Sequence, residues 1–191
     1  MNISFTPLKR EHAEKLVSWR YEKPYQVYDY RIQSAQNTIE YLTEPANQVF
    51  AVLRDNELIG LRSFGPDGRV QGGEYDDSYL DTGGGLRPDL TGKGLGAEII
   101  RKGLAFGMEK FGTERFRVTI AAFNERALKV CKRIGFVEDH RFRRASDGEQ
   151  FVVLQLEQIL REQVVEMPEM RQGRSRGPVF FGGAHGSTGS L

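Results

Sequence analysis

Leu86-Arg87-Pro88-Asp89-Leu90-Thr91-Gly92-Lys93-Gly94-Leu95-Gly96-Ala97 leads out of a short apolar segment, through a proline turn, into a glycine-spaced helix start. Beyond it, Leu95, Ile99, Ile100, Leu104, Met108 and Phe111 recur at spacings of three and four, with Arg101, Lys102, Glu109 and Lys110 between them. That pattern predicts an amphipathic helix over roughly residues 92–111, with one buried stripe and one wet face. The first turn of such a helix exposes backbone N–H groups with no partner inside it, and aligned peptide dipoles add partial positive charge. Glycines at alternate positions let a ligand lie directly on those N–H groups, so an anionic phosphate is the natural occupant. An ordinary tight turn explains the same glycines, and the stretch alone does not choose between nucleotide families.

Asp81-Thr82-Gly83-Gly84-Gly85 precede it. Three glycines leave a strand narrow and able to bulge, and a bulge would splay it from its neighbour. Further upstream, residues 3–8 read as a first strand and residues 11–20 as a helix carrying Ala13, Leu16, Val17 and Trp19 on one face. Residues 21–30 hold four tyrosines around Pro24 and read as a loop with aromatic walls. A short helix over 38–42 and two strands over 48–53 and 57–64 follow, the strands joined by a hairpin at Arg54-Asp55-Asn56. Residues 65–78 form a glycine-rich connection carrying Glu74, Asp76 and Asp77, read as a mobile loop of negative charge. Downstream come a strand over 116–121, a helix over 124–134 stopped by Gly135, and strands over 136–142 and 150–156 joined at Ser146-Asp147-Gly148.

A chain of 191 residues, 39% hydrophobic, is most economically one domain that buries its core without disulfides or metals. With a formal net charge of +1 and both signs interspersed, there is no global field to gather nucleic acid. Cys131 is the only cysteine, which excludes an internal disulfide and a multi-cysteine zinc site. Residues 1–10 lack the apolar core of a signal peptide, and no window approaches the length of a membrane span, so a cytoplasmic protein is expected. Beyond about Glu166 arginines alternate with glycines, so the expected organisation is a domain over 1–165 and an Arg/Gly-rich tail over 166–191, with Phe180-Phe181 as its one apolar anchor.

The opening stretch, taken with Phe123-Asn124-Glu125-Arg126-Ala127 and Cys131-Lys132-Arg133-Ile134-Gly135-Phe136, resembles the GNAT superfamily of acyl-CoA-dependent N-acetyltransferases over residues 1 to about 156. A dinucleotide fold would instead want an acidic residue at the end of the next strand, and Glu114 comes before that strand. The resemblance implies an α+β fold: a mixed, mostly antiparallel sheet of about six to seven strands flanked by helices, with a bulged, splayed central strand. It implies acetyl-CoA as co-substrate, its pantetheine arm on the freed strand edge near Gly84 and Leu86. Its pyrophosphate would rest on the N–H groups of Gly92, Lys93, Gly94, Leu95, Gly96 and Ala97, with Thr91 beside them. The Leu86 N–H becomes the candidate oxyanion donor, and Asn124 matches the family's contact to the cofactor arm, although an asparagine there also serves as a helix cap.

Two departures stand out. Thr91 occupies a position where the family usually has Arg or Gln, and Cys131 stands where it often has the tyrosine that protonates the departing thiolate. A thiol with a pKa of about 8.5 has suitable chemistry for an acid, yet Cys131 shares an apolar face with Ala127 and Ile134. Asp81 is the expected general base, with Glu74 and Asp76 as runners-up. The resulting expectation is direct transfer of an acetyl group to a primary amine of a small molecule or peptide. The acceptor would enter over residues 21–30, where aromatic walls and the acidic loop favour a cation. A non-catalytic acyl-CoA sensor is the alternative. No metal, nucleic-acid or membrane partner is expected, and open sheet edges are compatible with a homodimer.

Overall fold

The structure is a computed structural model that describes residues 2–30, 34–158 and 180–181. Asp55 and Asn56 both take left-handed φ, 51° and 68°, the conformation that closes a two-residue turn with the twist of the strands it joins. That turn folds β2 (Val49–Arg54) onto β3 (Glu57–Phe64). β1 (Ile3–Pro7) pairs with the outer edge of β2, and β4 (Leu80–Leu86) with the far edge of β3, all antiparallel. β5 (Phe116–Ala121), β6 (Val137–Arg143) and β7 (Gln150–Leu156) complete a sheet of order β1-β2-β3-β4-β5-β7-β6, in which only β4 and β5 run parallel. A two-residue strand, β8 (Phe180–Phe181), pairs antiparallel with β4. This is the α+β fold expected from the sequence.

Helices cover both faces because the central strands alternate two apolar sets. On β2 and β3, Phe50 and Phe64 join Ile100, Leu104, Cys131 and Ile134 from α3 (Gly96–Phe111) and α4 (Glu125–Ile134). The alternate residues Ala51 and Leu61 join Ala13, Leu16, Ile39 and Leu42 from α1 (Arg10–Ser18) and α2 (Ala35–Thr43). Each fully buried Leu, Ile or Phe contributes about 1.5–3 kcal/mol by leaving water. α4 is bounded as its sequence suggests: Asn124 Oδ1 accepts from Ala127 N at 3.2 Å, and Gly135 takes a left-handed φ of 116° with its N–H on Cys131 O and Lys132 O.

Three expectations are corrected. α3 starts at Gly96, not near Gly92, because Gly92 and Gly94 adopt left-handed φ of 73° and 81°, which a helix cannot contain. β4 keeps an unbroken register with β3 from Thr82 to Leu86, so residues 83–85 reach the splay without the bulge expected there. The loop over 65–78 opens with a 3₁₀ turn, Gly65–Gly68, and two of its acids, Asp76 and Asp77, face arginines, as described below. Of the expected tail, 166–179 and 182–191 lie outside the described residues.

Two glycines on the buried face of α3 were not anticipated as packing positions. A Cβ on Gly107 would sit 2.5 Å from Phe64 Cε1 and 3.0 Å from Phe116 Cε1. Gly107→Val is therefore expected to lose about 2–3 kcal/mol by overpacking, read as a lower midpoint in denaturant. An unchanged midpoint would mean that the rings do not crowd this helix.

Candidate active site

The site is built where β4 leaves β5. The two strands pair only at Leu80↔Phe116 and Asp81↔Arg117, after which they diverge and one edge of β4 is released from β5. Which groups face that edge follows from the β3 ladder. Arg87 N–H donates to Ile59 O at 2.8 Å, so Arg87 and Ile59 form a hydrogen-bonded pair. Alternate pairs in an antiparallel ladder turn their backbone groups away from each other. In the observed register, Gly60↔Leu86 and Arg62↔Gly84 are such pairs, so the N–H and C=O groups of Gly84 and Leu86 face the splay. Gly84 has no room for a side chain: a Cβ would lie 2.7 Å from Leu61 O.

A shallow cleft follows this edge, lined by Leu61, Arg62, Gly84, Gly85, Leu86, and by Gly96, Ile99 and Ile100 of α3. At its head, residues 92–97 wrap around the start of α3, with Lys93 and Gly94 exposed. Thr91 Oγ1 donates to Pro88 O at 2.7 Å and closes the preceding turn. Backbone N–H groups at a helix start, two left-handed glycines and one lysine make a cradle suited to phosphate oxygens.

The tyrosine-rich segment crosses the other end of the cleft. Tyr21 is buried and its hydroxyl donates to Leu86 O at 2.7 Å, while Asp29 Oδ1 accepts from Tyr21 N at 2.9 Å. Tyr28 is buried too, its hydroxyl accepting from Asn124 Nδ2 at 3.4 Å, and Tyr25 and Tyr28 pack on Phe123. Burial pushes both the Tyr21 and Tyr28 hydroxyls to higher pKa, so they remain neutral phenols. One segment thus touches β4 through Leu86 and the start of α4 through Asn124, the two sides of the splay.

Asp81, the expected base, lies at the apex of the splay and is 1% exposed. Both oxygens are engaged: Arg117 Nε donates to Oδ1 at 2.6 Å, Arg117 Nη2 to Oδ2 at 3.1 Å, and Arg69 Nε to Oδ2 at 2.7 Å. Asp76 Oδ1 takes Arg117 Nη1 at 3.0 Å, and Asp77 lies 3.9 Å from Arg69. Two arginines thus face three carboxylates, and with Glu74 in addition the loop keeps a net negative charge. Glu74 is exposed and, among the described residues, forms none of these ion pairs.

Cys131, the expected acid, is fully buried in the core beneath α4, and burial pushes its thiol well above the usual range. It is expected to resist a disulfide-exchange reagent in the native protein at pH 8 and to react stoichiometrically once denatured, as measured by thiol titration. Full labelling without denaturant would overturn this placement. Beside it is Arg62, which sequence reading passed over. Its side chain is enclosed between Gly84 and Gly103, where a Cβ would lie 3.3 Å from Arg62 Cδ and 3.1 Å from Arg62 Nε respectively. Burial lowers its pKa to about 10, still protonated at neutral pH, and its charge acts on Cys131. The signal that could have revealed it is the pair Gly103 and Gly107 on the apolar stripe of α3.

Among the described residues no cluster of three or more His, Cys, Asp or Glu is placed to hold a metal ion, and no helix is long and apolar enough to cross a membrane. A splayed parallel pair beside a helix start that could hold phosphate is the arrangement the resemblance to acyl-CoA-dependent transferases implies. The model of the GNAT acetyltransferase domain matches residues 2–137, and the chain belongs to that family of acetyltransferases. A search of curated protein sequences finds no match. Solved structures share the fold. A GNAT acetyltransferase from Bacillus anthracis superposes with a TM-score of 0.63 at 14% identity, over 82% of this chain and 95% of that one. A putative acetyltransferase from Salmonella typhimurium, YncA, with its cofactor acetyl-CoA gives 0.59 at 15%, over 83% and 95%. AAC(6')-Ib in complex with ribostamycin and coenzyme A gives 0.63 at 15%, over 81% and 93%.

Proposed function

We propose that the protein acetylates a primary amine of a small cationic molecule or peptide, presented over the tyrosine segment to the end of the cleft at Leu86. One observation carries this reading. Leu86 turns its N–H to the open edge of β4 while its C=O is held by Tyr21, so the tyrosine walls and a candidate oxyanion donor meet at one residue. Acetyl-CoA, when bound, supplies an activated acyl thioester. Residues 92–97 with Lys93 hold its phosphates, and the backbone of Gly84 and Leu86 offers strand-like hydrogen bonds to its amide-bearing arm. The Leu86 N–H donates to the oxygen on which charge develops.

The remaining roles follow from the contacts. Asp81 locks β4 to β5 and is not the base; a proton leaving the amine passes to solvent. Cys131 packs the core, and Arg62 takes over the task of the family's tyrosine by placing fixed positive charge beside the leaving sulfur. Asn124 ties the tyrosine segment to α4 in addition to capping it, and any contact with the cofactor arm is made from that position. The acidic loop keeps a net negative charge, so preference for a cation rests on that charge together with the tyrosine faces.

The test is a thiol-release assay with acetyl-CoA against polyamines, aminoglycosides, amino acids and peptide N-termini. Turnover is expected on cationic primary amines. Turnover only on acidic acceptors would overturn the acceptor class, and coenzyme A binding without turnover on any amine would favour a sensor.

A further inference from the structure

The open edge of β4 is taken by the chain itself. β8 pairs antiparallel with β4 at Gly84↔Phe181 and Gly85↔Phe180 and lies against β5 as well, so it bridges the splay. The ladder phase derived above turns the N–H and C=O of Gly84 toward that edge, which makes Gly84 and Phe181 the pair that exchanges backbone hydrogen bonds. These are the backbone groups that the proposed function assigns to the amide-bearing arm of acetyl-CoA. Two strands cannot share one edge, and a free strand edge pairs with whichever extended segment reaches it.

We propose that β8 is an intrasteric plug: the C-terminal segment closes the acyl-CoA groove by adding a strand to β4, and cofactor and tail compete for the same edge. The inference rests on the acetyl-CoA reading of that groove. The tail is joined to the domain, so it competes at a fixed effective concentration, and the apparent affinity for coenzyme A falls by the fraction of molecules in which the edge is open. Anything that draws the tail away, such as a partner that binds the arginines of residues 171–176, would raise acetyl-CoA affinity without touching the site.

Phe181→Pro in the full chain tests this, because proline has no N–H to give Gly84. Titration calorimetry with coenzyme A should show binding tightened by roughly tenfold over the wild type, the KM for acetyl-CoA falling in step. Hydrogen exchange adds a direct reading. Coenzyme A should speed exchange of the peptide containing residues 180–181 in the wild type while the peptide containing Gly84 stays protected. Equal affinity in the two proteins, or no change in exchange at 180–181 when coenzyme A is bound, overturns the plug and leaves the groove reading standing. If neither protein binds coenzyme A, the groove reading fails and the plug with it.

Discussion

Asp81→Asn is expected to lower the unfolding free energy by about 3–5 kcal/mol while leaving kcat within about threefold of wild type at temperatures where the variant is folded. The magnitude comes from what the carboxylate neutralises. The Arg117 side chain is 3% exposed and sits opposite Asp81 in the last paired register before β4 and β5 part. Removing one partner of a buried pair leaves the other charge desolvated without its counterion, which costs far more than the pair itself contributes. Asp76 remains to share Arg117, so the loss should fall toward the lower end of that range. Asparagine keeps the volume and can still accept one hydrogen bond, so the change isolates charge from packing. A general base behaves oppositely: its loss lowers kcat by about 10²- to 10⁴-fold with the fold intact. Urea denaturation together with steady-state kinetics on the same preparation separates the two, and a large fall in kcat at unchanged stability would restore Asp81 as the base.

The same pair shows how far the sequence could be read. Asp81 was legible as a carboxylate on the approach to the splay, since three glycines and a proline turn follow it directly. Its partner was not, because Arg117 lies on another strand, and the parallel register that brings them together leaves no local periodic trace. The cradle was legible because it is local: its chemistry needs only glycine spacing and a helix start, and both sit within twelve residues. The start of α3 was misplaced for a related reason. Glycines at 92 and 94 continue an apparent helical period, but they are there to leave helical geometry. Leu61-Arg62-Ser63-Phe64 illustrates another limit. Alternation puts Arg62 on the face of Phe64, and an arginine there carries no local sign of burial; only the tertiary fold reveals that β3 is a central strand with helices on both sides. β8 lies beyond any such reading, since two residues are too few to show alternation.

Arg62→Met is expected to reduce kcat on the order of 10²-fold, with a smaller effect on the KM for acetyl-CoA. The reasoning starts from burial. A guanidinium enclosed between β4 and α3 is held in a medium where a charge acts far more strongly than it would in water. It lines the cleft beside Gly84, Gly85 and Leu86, and its charge reaches Cys131, the position where the family often has an acid. A thiolate leaving a thioester needs either a proton or a fixed cation. Burial rules out the Cys131 thiol as a convenient proton source, whereas Arg62 is a permanent cation already in place and needs no reorganisation when charge develops. Methionine keeps much of the length and packing of the side chain and removes only the charge. Arg62→Lys, which keeps the charge but loses the planar fork, should recover at least about a tenth of wild-type kcat. A packing role alone would lower the melting temperature of both variants and leave kcat per folded molecule unchanged. A kcat for Arg62→Met within about threefold of wild type, on protein shown by its melt to be folded, would remove Arg62 from the chemistry and leave solvent to carry the leaving group's charge.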